Sequence, residues 1–152
     1  MQEEDDFSST YRLNGRMLQP WSTPVMMLNL PPEIIQQMLE ISDEVVANKE
    51  SESMGSGLVG QIDKELKIKQ DILEQAGILG FFLAVTRQFV IFCKSQKEPY
   101  RGADILQEEW LTEIQQMWVV SQQPGEYNPI HIHANCHIST VMYLKVPKIL
   151  PC

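Results

Sequence analysis

The chain has 152 residues, 43% of them hydrophobic, with 12 basic and 20 acidic side chains and a formal charge of −8. That length suits one domain with a sizeable core, and no apolar run is long enough to span a bilayer. The acidic balance argues against a general nucleic-acid or anionic-membrane binder. The polar, acidic start is unlike a signal peptide, and three cysteines without framework spacing (Cys93, Cys136 and Cys152) fit a reducing, intracellular setting.

In chain order, Met1–Gln19 is polar and patternless, with Glu3, Glu4, Asp5 and Asp6 in a block. It reads as a flexible or partner-bound arm, which sets residues 1–20 apart from a single domain over 21–152. Trp21–Leu30 carries Val25, Met26, Met27 and Leu28 and predicts a first strand, with Pro24 at its start or on an edge. Pro31-Pro32 opens a helix. Ile34, Met38, Ile41 and Val45 recur at helical spacing and carry it to about Asn48.

Lys49–Gly60 is rich in Ser, Gly and Glu and predicts a loop. Its Ser56-Gly57-Leu58-Val59-Gly60 lacks the Lys-Ser/Thr of a phosphate-binding loop. Gln61–Gln70 suits a short helix or a strand. Asp71–Gln96 is the most apolar long segment, and its length favours a largely buried helix. Gly77 and Gly80 admit a close neighbour there or divide it in two. Its aromatics suit a core rather than a cofactor site.

Lys97–Gln107 predicts a loop, and Gln115–Ser121 has strand composition. Gln122-Gln123-Pro124-Gly125 predicts a turn. The histidine stretch and Ile138–Val146 follow as two more strands. Helices therefore come first and strands gather at the end, which predicts an α+β fold with a sheet packed on helices.

All three histidines, His131, His133 and His137, fall within seven residues. Strand side chains alternate with period two. On a strand these three imidazoles would share one face, with Ile130 and Ile132 on the other. An H-x-H pair can give two nitrogens to one zinc, copper, iron or nickel ion. Equally, it can be a pair of hydrogen-bonded histidines at a sheet end. Cys136 has the wrong parity for a ligand unless a turn intervenes at Ala134-Asn135, and a small buried thiol is its simpler role.

The segment Gly125-Glu126-Tyr127-Asn128-Pro129-Ile130-His131-Ile132-His133, then Ser139-Thr140-Val141-Met142-Tyr143-Leu144, resembles the iron(II)/2-oxoglutarate-dependent oxygenases. Trp118 before it and Pro147 after it fit the same pattern. The likeness extends to oxygenase-like proteins of tailed phages that infect marine cyanobacteria, and to the prolyl-hydroxylase branch. It implies N-terminal helices packed on a partial jelly-roll, the double-stranded β-helix. It further implies Fe(II) and 2-oxoglutarate as cofactors, and hydroxylation of a peptide or small molecule as the reaction. By the same resemblance His131 and His133 are metal ligands, Tyr127 and Tyr143 line the co-substrate pocket, and the cytoplasm of an infected host is the setting.

Two departures qualify this pattern. His133 stands where the family has a carboxylate. The distal histidine and the arginine that binds 2-oxoglutarate have no counterpart, since no histidine follows His137 and no arginine follows Arg101. The resemblance then implies the N-terminal part of a longer fold, with little or no activity alone. Two other readings stand beside it: a non-enzymatic jelly-roll interaction or virion accessory protein, and a small cupin-like protein binding metal through His131, His133 and His137. Tyr143 suits a core or interface as well as a pocket, Asn128 suits a plain turn residue, and His137 suits the surface or a group supporting the ligands. An apolar sheet edge at the end of the chain predicts self-association.

Overall fold

A computed structural model describes residues 14–18, 23–55, 60–95 and 111–147. The described chain is α+β, with three helices and two small antiparallel sheets, each of two strands. Among the described residues there is no closed barrel and no helix long and apolar enough to cross a membrane. Contacts divide the chain into two compact units. One is built from residues up to Pro32 with Gln70–Ile114, the other from Glu33–Lys69 with residues from Gln115 onward.

In the first unit, β1 (Asn14–Leu18) pairs antiparallel with β2 (Val25–Asn29), placing Gly15 opposite Leu28 and Leu18 opposite Val25. Residues 14–18, assigned to a flexible arm by their polarity, are therefore a strand. Five consecutive main-chain pairings with β2 supply what side-chain pattern did not announce. The remainder of the arm lies outside the described residues. At Gly15 a side chain has no room, since a Cβ there would overlap the Met27 carbonyl oxygen.

The long apolar segment of this unit is two helices, α2 (Gln70–Gln75) and α3 (Leu79–Ser95). Gly77 divides them at φ +71°, a left-handed conformation that glycine adopts without steric cost. The Gly77 N–H donates to the Glu74 carbonyl and the Ile78 N–H to the Leu73 carbonyl, both at 3.0 Å. That is the Schellman arrangement, in which an apolar pair commonly flanks the glycine. Here Leu73 and Ile78 are both buried. In α3, Phe81, Val90 and Cys93 are buried as well, and the Phe81 and Phe82 rings meet edge to face.

All of α1 (Pro32–Ala47) after its first residue belongs to the second unit, and it buries Ile34, Met38, Ile41, Ser42 and Val45 along one stripe. The Ser51 hydroxyl donates to the Val45 carbonyl near its C-terminal end. The ambiguous Gln61–Gln70 segment resolves as β3 (Lys64–Lys67). It pairs antiparallel with β4 (Trp118–Ser121), placing Lys67 opposite Trp118 and Glu65 opposite Val120. On the other edge of β3, Met54 N–H donates to Glu65 C=O and Lys67 N–H to Glu52 C=O. β3 is thus hydrogen-bonded on both sides, which explains why a short, charged sequence makes a strand.

The two strands expected after the turn do not form among the described residues. From Asn128 to Pro147 no residue is in a helix or strand. Strand composition alone makes no ladder: each N–H and C=O needs a partner chain alongside, and the described residues offer none.

Candidate metal-binding segment

The turn ahead of the histidines is built from its own residues. Pro124 and Gly125 occupy its two central positions, with Gly125 at φ +91°, and the Glu126 N–H closes on the Gln123 carbonyl at 3.1 Å. Proline then glycine at positive φ is the type II combination. The Glu126 carboxylate folds back over this turn. Its Oε2 accepts the Gln123 N–H at 2.6 Å, and its Oε1 accepts the Asp63 N–H at 3.0 Å. These two main-chain donors, Gln123 first and Asp63 second, hold its carboxyl below the ordinary glutamate range, because both bond the charged form.

One residue further, the Gln61 N–H donates to the Tyr127 carbonyl at 2.9 Å. Asn128 then lies over Gly60, where a Cβ would overlap its Oδ1. The entry to the histidine segment is therefore pinned to residues 60–63 by glutamate, backbone and close approach together. Sequence reasoning passed over Glu126. The available signal was local: an acidic side chain at the last position of a Pro-Gly turn can reach that turn's own N–H groups.

His131 and His133 meet although residues 130–133 form no strand. Their rings meet at 4.9 Å between centroids, steeply inclined, and their Nε2 atoms lie 3.3 Å apart. The His131 Nδ1 is 2.7 Å from the Pro129 carbonyl oxygen. A carbonyl only accepts, so Nδ1 carries a proton, and it is the Nε2 of this tautomer that has the lone pair for a metal ion. A carbonyl behind the ring in this manner commonly fixes the tautomer of a metal-binding histidine. The same 3.3 Å separation suits a hydrogen bond between the two rings, in which one Nε2 carries a proton that a metal ion would displace. Two imidazole nitrogens on one ion, at bonds of about 2.0–2.1 Å and angles between octahedral and tetrahedral, lie roughly 2.8–3.4 Å apart. The observed separation falls within that span. The Trp118 ring of β4 sits 5.8 Å from the His133 ring between centroids and helps to orient it.

The turn at Ala134-Asn135 does intervene, with Asn135 in the left-handed region at φ 61°. It carries His137 out of the alternation of His131 and His133. Among the described residues, no group of three or more His, Cys, Asp or Glu side chains is placed to hold one metal ion. The trio His131, His133 and His137 is therefore not assembled. Cys136 is exposed rather than buried, with its thiol towards the His133 carbonyl at 3.7 Å. Small size favours burial only where a core is within reach, and this turn stands clear of one. Tyr127 is half-exposed and Tyr143 largely exposed. The arrangement can chelate a cation with two neutral nitrogens. Water, a co-substrate or other groups would complete the coordination.

Residues 116–151, 36 of the chain's 152, match the model of the family described as "Putative 2OG-Fe(II) oxygenase". At the level of the family, the match implies iron(II) and 2-oxoglutarate. Among curated proteins and among solved structures, none matches the chain.

Proposed function

We propose that this chain carries the iron-binding segment of a 2-oxoglutarate-dependent oxygenase, with His131 and His133 as its two imidazole ligands. The observation that carries this reading is the convergence of the two Nε2 atoms at 3.3 Å, with the His131 lone pair freed by the Pro129 carbonyl. The family match over 116–151 supports it from the sequence side. Tyr127 and Tyr143 are the phenols that would donate to a co-substrate carboxylate. The jelly-roll frame of such oxygenases belongs to the same reading, with β3, β4 and the run after the histidines as its first strands. So do a phage origin and the cytoplasm of an infected host, through the resemblance of Gly125–Pro147.

When bound, iron(II) with 2-oxoglutarate and oxygen supplies the oxidising chemistry. The chain's own part is to hold and orient. Glu126 anchors the entry turn, Pro129 fixes the His131 tautomer, and Trp118 flanks His133. Among the described residues no carboxylate joins the two imidazoles, and two imidazoles bind iron weakly, so turnover by this chain alone is expected to be low or absent. A second reading, an interaction module without catalysis, draws on the exposure of both imidazoles.

The test is anaerobic Fe(II) titration with and without 2-oxoglutarate, on the wild type and on His131→Ala. One iron per chain, lost in His131→Ala, is expected. Tightening with 2-oxoglutarate and a metal-to-ligand charge-transfer band should accompany it. No iron binding in the wild type would leave the interaction module standing and remove the oxygenase.

A further inference from the structure

The pairings on either side of the Pro-Gly turn are out of step. Ser121 lies opposite Lys64, and Tyr127 forms an isolated bridge with Gln61. Between these two pairings one chain passes through five residues, 122–126, and its partner through two, Ile62 and Asp63. The turn is therefore the apex of a large β-bulge. Bulges bend the strand that carries the extra residues, re-aim the side chains beside them, and are frequent next to active sites. Here the arm before the bulge carries Trp118, and the arm after it carries His131 and His133. The two arms meet again where the Trp118 and His133 rings lie 5.8 Å apart between centroids.

A bulge takes main-chain groups off the ladder, and one side chain accepts two of these donors. Glu126 bonds the Gln123 N–H on its own strand at 2.6 Å and the Asp63 N–H on the partner segment at 3.0 Å. The Gln122 side-chain amide donates to the Glu126 carbonyl at 2.5 Å, within the same loop. Without the Glu126 carboxylate both N–H groups lose their acceptor, one on each side of the bulge. The two bonds fix the width of the bulge and so the direction in which the chain leaves Tyr127. From Tyr127 the path to the Pro129 carbonyl, which lies 2.7 Å from His131 Nδ1, is two residues long. The second is a proline with a fixed φ, which also restricts Asn128 before it, so a change of direction at the bulge is passed on to the histidines.

We infer, on the reading of His131 and His133 as ligands, that Glu126 is a positioning residue of the metal pair: it locks the bulge and so aims the two imidazoles at one ion. It does this from a distance, since its oxygens are engaged by main-chain donors and not by the rings. Its second anchor, Asp63, lies outside the matched residues 116–151, so the site draws on two separate stretches of the chain. Groups that hold ligands in place commonly contribute about ten- to hundred-fold to metal affinity. Coupling of this kind is reciprocal, and a metal ion held by the pair tightens the bulge in turn.

The test is anaerobic Co(II) titration of the full chain, read by the visible d–d band, with Zn(II) as the diamagnetic probe for amide exchange. Glu126→Ala should weaken Co(II) binding by about ten-fold or more and move the band, with an unchanged circular dichroism spectrum. Glu126→Gln, which keeps one acceptor oxygen, should recover part of the loss. In the wild type, with no substitution made, Zn(II) should slow exchange at the Asp63 and Gln123 amides. Full affinity and an unmoved band in Glu126→Ala, with binding lost in His131→Ala, would overturn the positioning role and leave the iron-binding reading standing. Exchange at Asp63 and Gln123 indifferent to bound Zn(II) would overturn the coupling. A wild type that binds neither ion would remove the ligand reading, and the positioning role with it.

Discussion

At the scale of single residues, Glu126 has the clearest electrostatic signature. Its folded-state carboxyl is held below the ordinary glutamate range, first by the Gln123 N–H and then by the Asp63 N–H. A group depressed in the folded state contributes stability above its unfolded pKa, and that contribution is lost as pH falls through the folded value. The clamp on the entry turn is therefore intact at neutral pH and opens only on acidification past the ordinary glutamate range. In an NMR titration the Asp63 and Gln123 amides should shift together at that lower pH, and Glu126→Gln should abolish the shared transition. Amides that move at the ordinary glutamate value would show that the two bonds are not made in solution. Elsewhere, burial raises the Cys93 thiol, which keeps it protonated and poorly nucleophilic. Glu65 is a different case, 1% exposed with its Oε2 unpartnered. Such an atom forfeits its hydration without compensation, a cost borne by the second unit.

At the scale of elements, the break between α2 and α3 rests on backbone conformation rather than space. A Cβ at Gly77 would meet nothing within 4 Å, yet its φ is +71°. Gly77→Ala should therefore cost about 1–2 kcal/mol, the penalty of a left-handed L-residue. Gly77→Asn should cost less, since asparagine tolerates that region. Urea denaturation measures both, and equal stability of Gly77→Ala and wild type would mean that the two helices can fuse into one without loss. β3 shows the opposite dependence. Its sequence, Lys-Glu-Leu-Lys, would serve a helix as well, and the strand exists because main-chain partners flank it on both sides.

At the scale of the whole molecule, protection is uneven. β3 is bonded along both edges and α1 buries a full apolar stripe, while residues 128–147 make no main-chain hydrogen bond among the described residues. Lys145–Asp43 is the one ion pair that ties this run to α1 among the described residues. Both side chains are exposed, and such a pair is worth at most about 1 kcal/mol. Amide exchange should accordingly be slowest in α1 and β3 and fastest from Ile130 to His137. Slow exchange at His131 and His133 in dilute protein would mean that a partner strand covers them, contrary to the present fold.

Local pattern in the sequence is enough for α1, the Pro-Gly turn, β2 and the strand character of 118–121. Each of these is written in local terms: apolar spacing, a proline's fixed φ, a glycine's freedom, the alternation of an extended chain. The rest depends on which segments meet in space, the contact of the His131 and His133 rings included. Tertiary structure made a strand of 14–18 and of 64–67, because ladders are made between segments distant in sequence. It withheld strands from 130–133 and 138–146 for the same reason. It turned Glu126 back onto Gln123 and Asp63, left Cys136 exposed, and carried His137 away beyond the left-handed Asn135. Local chemistry fixes what a segment can become, and the partner that reaches it in space fixes what it is.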